Sequence, residues 1–121
     1  MSAVAGKRVL VVEDEAMVAS MVEDMLVQLG ALVVGPAASV ARALVLCETE
    51  SVDAAVLDVN VRGEMIDDVA ALLAGRGVPL VLATGYGASV ADAWPGAQVI
   101  DKPYTRAKLD AALTLAFAPR T

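Results

Sequence analysis

Val9 to Glu15 reads VLVVEDE, four apolar residues followed at once by three acids. An uninterrupted apolar run of this length, rich in valine, fits a strand buried on both faces. The strand spans Arg8 to Val12 and stops at Glu13-Asp14-Glu15. Beyond the acids, Met17, Val18, Met21, Val22, Met25, Leu26 and Leu29 recur at helical spacing, with Glu23 and Asp24 off the stripe. That pattern predicts an amphipathic helix ended by Gly30, its methionines packed in the core.

The same alternation continues outward. Ala31 to Val34 reads as a second strand closed by Gly35-Pro36, and Ser39 as the N-cap of a helix running to about Glu50. Asp53 to Val59 contains a third strand, Ala54 to Leu57. A polar turn follows from Asn60 to Gly63, then a helix from about Ile66 to Gly75. Pro79 to Ala83 is a fourth strand. Ala88 to Trp94 leaves room only for a short fourth helix before Pro95-Gly96. Gln98 to Ile100 is a fifth strand, and Thr105 caps a last helix carrying Leu109, Ala112, Leu113 and Ala116. Five βα units in series predict an α/β fold, a parallel sheet with helices on both faces. Residues 1–121 are expected to form one domain, with no second domain attached.

Composition agrees. Of 121 residues 58% are hydrophobic, and alanine (24) and valine (20) dominate, which suits close packing of helices on a buried sheet. The formal net charge of −6 argues against direct nucleic-acid or anionic-membrane binding. The uncharged stretch Gly77 to Ala91 is shorter than a membrane span and holds Pro79, Gly85 and Gly87. A lone cysteine, Cys47, excludes an internal disulfide and suits the cytoplasm; it is expected to be a buried small hydrophobe. The absence of histidine excludes His-ligated metals and His-based catalysis.

Ligands of open parallel sheets bind beyond the carboxyl ends of the strands. There the sequence places Glu13 and Asp14 after strand one, Asp58 after strand three, Thr84 after strand four, and Lys102-Pro103 after strand five. Singly, each has an ordinary reading: an acidic helix start, a turn cap, turn chemistry, a solvated lysine. Together they converge on one end of the sheet. Neighbouring strands lie about 4.8 Å apart, and two like charges at about 4 Å repel by about 4 kcal/mol at an effective dielectric near 20. Three carboxylates so placed call for a counter-charge, and a hard cation such as Mg2+ supplies one. Carboxylates, a cation, a lysine and a hydroxyl are the apparatus of phosphoryl transfer, with Asp58 as nucleophile, Asp14 and Glu13 as metal ligands, and Lys102 and Thr84 on the phosphoryl oxygens.

The ordered set VLVVEDE, AVLDV (Ala55 to Val59), LATG (Leu82 to Gly85) and DKP (Asp101 to Pro103) resembles response-regulator receiver domains of two-component signalling, over essentially the whole chain. The resemblance implies the flavodoxin-like receiver fold with strand order 2-1-3-4-5. It also implies phosphorylation at Asp58, Mg2+ held by Asp14, Asp58 and the backbone carbonyl of Asn60, with Glu13 ligating directly or through water on the reading above, phosphoryl contacts from Thr84, Gly85 and Lys102, and a cis Lys102-Pro103 bond. Where receivers usually carry an aromatic switch, this chain has Val99, and the stretch from Thr84 to Lys102 is short by about one helical turn. LATGYG partly resembles the FATGUY run of a group of stand-alone receivers that also lack the aromatic, although Leu82 and Gly87 depart from it.

The implied role is that of a stand-alone, cytoplasmic signalling domain rather than an enzyme acting on a separate substrate. Its partners would be a histidine kinase or histidine phosphotransfer protein and an unidentified downstream protein, met through Tyr86, Pro103 and Tyr104. With Val99 in the switch position, the response to phosphorylation is expected mainly between Thr84 and Trp94. Two other readings of the same domain stay open: a phosphorylation-independent interaction module, and a phosphate sink or shuttle. A flavin- or nucleotide-binding domain would need a glycine-rich anion cradle after strand one, where this chain has three acids. An aspartate-based phosphatase would need a substrate pocket that the sequence does not supply.

Overall fold

A computed structural model describes residues 3–61, 63–85 and 97–118. These form β1 (Arg8–Val12), α1 (Ala16–Gln28), β2 (Leu32–Ala37), α2 (Val40–Thr49), β3 (Ala54–Asp58), β4 (Asn60–Val61), β5 (Glu64–Met65), α3 (Asp67–Gly75), β6 (Leu80–Thr84), β7 (Gln98–Asp101) and α4 (Arg106–Phe117). Five of the strands make one parallel sheet in the order β2-β1-β3-β6-β7. Counting only those five along the chain, the order is the expected 2-1-3-4-5.

The pleat divides the core in two. Leu10 and Val12 of β1, Ala55 and Leu57 of β3, and Leu80 and Leu82 of β6 pack against α2 and α3. Val9, Val11, Ala54, Val56 and Val81 face α1 and α4. Burying each valine or leucine is worth about 1.5–3 kcal/mol, so the central strands, apolar on both faces, commit the sheet to helices on each side. The two N-caps read from the sequence are present. Ser39 Oγ accepts from the Arg42 N–H at 3.1 Å, and Thr105 Oγ1 accepts from the Lys108 N–H at 3.2 Å. Cys47 is buried, as expected.

Four sequence expectations need correction or refinement. Met17 and Met21 are not core: they are 81% and 50% exposed. The buried line of α1 runs through Ala19, Val22 and Leu26, and Met17 and Met21 lie on the neighbouring i, i+4 row, about 100° round the helix. Second, β2 does not close at Gly35-Pro36 but runs through it to Ala37, with its pairing to β1 irregular between Leu10 and Val12. An edge strand with a bulge tolerates a proline, whose missing N–H costs no ladder bond there. Gly35 sits at φ +95°, where an added Cβ would lie 2.8 Å from Ala37 N and 3.1 Å from Val11 O. Third, the stretch expected as a polar turn after β3 is an antiparallel hairpin, β4 against β5, turned at Gly63 (φ +79°). It is pinned by buried Val61 and Ile66. Fourth, α3 begins at Asp67, with Ile66 as its flanking residue. The Gly35-Pro36 and Lys102-Pro103 bonds are both cis. The short helix expected over Ala88 to Trp94 lies outside the described residues.

Gly35→Ala is expected to cost more than about 1 kcal/mol in urea denaturation, because both the positive φ and the space forbid a Cβ. Gly75→Ala, in α3 with nothing within 4 Å of the added carbon, is expected to leave stability unchanged or slightly raised. Equal losses at the two sites would contradict this account of β2.

Candidate functional site

The sheet register carries the first residues past the apolar strands to one edge of the fold. Val12 pairs with Leu57, so Glu13 and Asp58 occupy the next row of adjacent strands. Asp58 pairs with Ala83, and Thr84 pairs with Asp101, which leaves Lys102 just beyond. Alternation sets the side-chain direction. Glu13 continues the parity of Val9 and Val11, Asp58 that of Ala54 and Val56, and Lys102 that of Ile100, all on the α1/α4 face. Ala83 shares this parity, and its small side chain leaves room for the Lys102 stem to cross β6 on its way to β3.

The backbone at the strand ends is tied down on every side. Glu13 N–H donates to Ala37 O at 2.9 Å, so the unexpected extension of β2 anchors the first acid. Val59 N–H donates to Ala83 O at 3.2 Å, Ile66 N–H to Val59 O at 3.1 Å, and Lys102 N–H to Thr84 O at 3.0 Å. Thr84 is fully buried and Gly85 exposed.

Glu13, Asp14 and Asp58 each present a carboxylate oxygen within 4.8 Å of the others. Lys102 Nζ bonds Glu13 Oε1 at 2.6 Å and Asp58 Oδ2 at 3.3 Å. The Glu15 N–H donates to the second Glu13 oxygen at 3.1 Å. Glu13 is 4% exposed. It is therefore no mere acidic helix start; α1 begins at Ala16 with no acid in its first turn. Burial pushes the Glu13 carboxyl above its usual range, opposed by the Lys102 and Glu15 hydrogen bonds and reinforced by the charge of Asp58. For Lys102, burial works to lower the pKa, but the Glu13 bond and the two carboxylate charges outweigh it and hold the ammonium above its ordinary value. Three clustered oxygen donors of this kind suit a hard divalent cation.

Beside the acids, Tyr104 packs partly buried against the α1/α4 core. With Lys102, Pro103, Glu15 and the Val18, Met21, Val22 and Met25 side of α1, it lines a cleft of about 280 Å3. Burial, with the nearby charges of Glu13 and Asp58, keeps its phenol protonated far above the ordinary range. Pro103 and Tyr104 thus lie at the site, as does Met21 of the exposed Met17–Met21 row that the sequence reading assigned to the core. The signal for that exposure was the 100° offset between the methionine row and the alanine-valine-leucine line. Tyr86 and the expected switch segment lie outside the described residues, except Thr84 and Gly85. For Asn60 only the backbone is described, paired in the hairpin.

No family model and no curated relative matches the chain. Solved structures do. A response regulator receiver protein from Sinorhizobium medicae WSM419 superposes with a TM-score of 0.83 at 25% identity, over 93% of this chain and 96% of that one. The solution structure of SdrG from Sphingomonas melonis Fr1 gives 0.82 at 41% identity, over 98% of this chain and 100% of that one. The chain belongs to the response-regulator receiver family. A receiver domain places it in two-component signalling. SdrG has also been solved in a BeF3-activated conformation, 38% identical to this receiver with a TM-score of 0.77 over 94% of this chain and 98% of that one. Among the described residues, no helix is long and apolar enough to cross a membrane.

Because the folded-state pKa of Lys102 lies above its usual 10.5, its stabilisation is fully present below that pH and is lost as pH rises through the folded value. In metal-free buffer, Lys102→Met should be less stable than wild type by a constant margin from about pH 8 to about pH 10, and the margin should close at higher pH. A margin that widens with alkalinity would show that the ammonium does not stabilise the fold.

Proposed function

We propose that this receiver domain accepts a phosphoryl group on Asp58 from a phosphohistidine of a kinase or phosphotransfer protein, with Mg2+ as cofactor, and signals by phosphorylation-dependent binding of a partner protein. The observation that carries the proposal is Asp58 at the end of a central strand, clustered with Glu13 and Asp14 and 3.3 Å from Lys102 Nζ. The receiver relative solved in a BeF3-activated form supports it, since that group mimics a phosphoryl.

In this reading a carboxylate oxygen of Asp58 attacks phosphorus as the P–N bond to the donor imidazole breaks, leaving an aspartyl phosphate and a neutral imidazole once a proton is taken up. Glu13, Asp14, Asp58 and the Asn60 carbonyl would hold the magnesium ion, whose charge neutralises the gathered acids and phosphoryl oxygens. Lys102 pairs with the phosphoryl group. The Thr84 hydroxyl and the Gly85 backbone bind its oxygens. Tyr86, Pro103 and Tyr104 contribute to the partner surface. The domain then acts only on its own aspartate, gaining and losing phosphate, in the cytoplasm.

Incubation with acetyl phosphate and Mg2+ should add one phosphoryl group by mass, labile to base and hydroxylamine and absent in Asp58→Asn. Phosphate found on Thr84 or Ser89 would overturn the assignment.

The metal is tested separately. Mg2+ should stabilise the wild type by mass action, about 2.7 kcal/mol at a hundred times its dissociation constant. Asp14→Ala should abolish the rise in melting temperature. An equal rise in both proteins would place the ion elsewhere.

A further inference from the structure

Two thioether side chains stand in solvent on α1. Met17 is 81% exposed and Met21 50%, one turn apart on the same face of the helix. Met17 lies in the first turn, and Met21 lines the cleft that Pro103 and Tyr104 wall from the other side. Met25, a further turn along, lines the same cleft but is partly buried and packs against the α1/α4 core. We infer that Met17 and Met21 are a reversible oxidation site: a peroxide converts their thioethers to sulfoxides, and their row turns from apolar to polar while the fold stays intact.

The chemistry asks only for access. The sulfur lone pair attacks one peroxide oxygen as the O–O bond breaks, and an S–O bond forms. The proton on the transferred oxygen passes to the departing hydroxide, giving water. Sulfur loses two electrons and the peroxide gains them. Two thiols reverse the change, yielding the thioether, water and a disulfide. Cys47, the other candidate sulfur, is shielded twice. It is buried in the α2/α3 side of the core, and burial pushes its thiol above the ordinary value, so the reactive thiolate is scarce. Of Cys47, Met17, Met21 and Met25, the two exposed methionines therefore meet the oxidant first.

The fold tolerates the product. Neither side chain belongs to the buried line of α1 through Ala19, Val22 and Leu26, so an added oxygen faces water. Met21 also borders a second groove with Gln28, Thr105 and Arg106, whose side chains donate hydrogen bonds that a thioether accepts only weakly. A sulfoxide oxygen accepts them well. The α1 wall opposite Pro103 and Tyr104 thereby loses its apolar character, and apolar contact with it weakens.

The test treats the folded protein with hydrogen peroxide and maps the added oxygen by fragment mass spectrometry. Cleavage after Glu15 and Glu23 puts Met17 and Met21 in one peptide and Met25 in the next. Met17 should gain oxygen first, Met21 second, and Met25 several-fold more slowly than Met17. Methionine sulfoxide reductases with a dithiol should then restore both residues in the folded protein. Oxidation should leave the melting temperature unchanged and shorten retention on a phenyl column, and that shortening should be absent in Met17→Leu/Met21→Leu treated alike. Oxidation of Met25 as fast as Met17 would overturn the inference. So would sulfoxides that the reductases cannot reach, equal retention changes in the wild type and the double variant, or a fall in melting temperature confined to the wild type. None of these readouts involves Asp58, so their failure leaves the phosphoacceptor reading untouched.

Discussion

One ammonium group holds together what the sheet forces apart. Parallel pairing of β1 with β3 brings Glu13 and Asp58 to the same row, with Asp14 adjacent. Coulomb repulsion at such separations is several kcal/mol in a partly buried setting. Lys102 reaches across β6 from the end of β7 and bonds both acids. Its reach depends on register: Ala83, small and on the same face, lies between Asp58 and β7. It also depends on the Lys102 N–H bond to Thr84 O, which fixes where the side chain starts. Shifting any of these three strands by one residue turns a carboxylate or the ammonium to the other face.

The two halves of the core serve this site differently. The α2/α3 side is closed by large aliphatics and by the hairpin after β3, so the loop following Asp58 is braced by Val61 and Ile66 rather than left as a bare turn. The α1/α4 side is where the acids point. It keeps a cleft between α1 and the Lys102-Pro103-Tyr104 segment, with the half-exposed Met21 in its lining. Polarizable, unbranched methionine side chains on a surface suit adaptable contacts with a partner. The chain therefore places its charged centre at the boundary between a rigid wall and a more open one.

Most of the architecture was legible because each strand is a short apolar run that stops at a chemically conspicuous residue. Strand order and the convergence of Glu13, Asp58 and Lys102 follow from that spacing together with the family resemblance. Helix starts at Ser39 and Thr105 were legible because an N-cap is a local bond, complete within four residues. The misreadings have equally physical causes. Glycine and proline at 35 and 36 are breakers in isolation, yet an edge strand with a bulge absorbs them, and edge position is a tertiary fact. The stretch after β3 reads as polar turn because a two-residue strand has too few positions to show alternation. For α1, a wide apolar band offers two adjacent rows, and only packing against the sheet selects the one through Val22 and Leu26. The preference of Lys102 for Glu13 over Asp58 is a matter of tenths of an ångström that no spacing encodes.

The groups of the site are brought together only by folding. Lys102 stands 89 positions from Glu13 and 44 from Asp58 along the chain, so the unfolded chain holds no comparable cluster of charge. Anything that binds the assembled cluster therefore adds its binding free energy to the stability of the whole sheet. The converse also holds. The sheet holds like charges together at this edge, opposed by the partly buried Lys102, because the aliphatic rows behind it contribute several buried side chains at about 1.5–3 kcal/mol each. That surplus lets three acids stand at adjacent strand ends and keeps the edge poised to favour added positive charge.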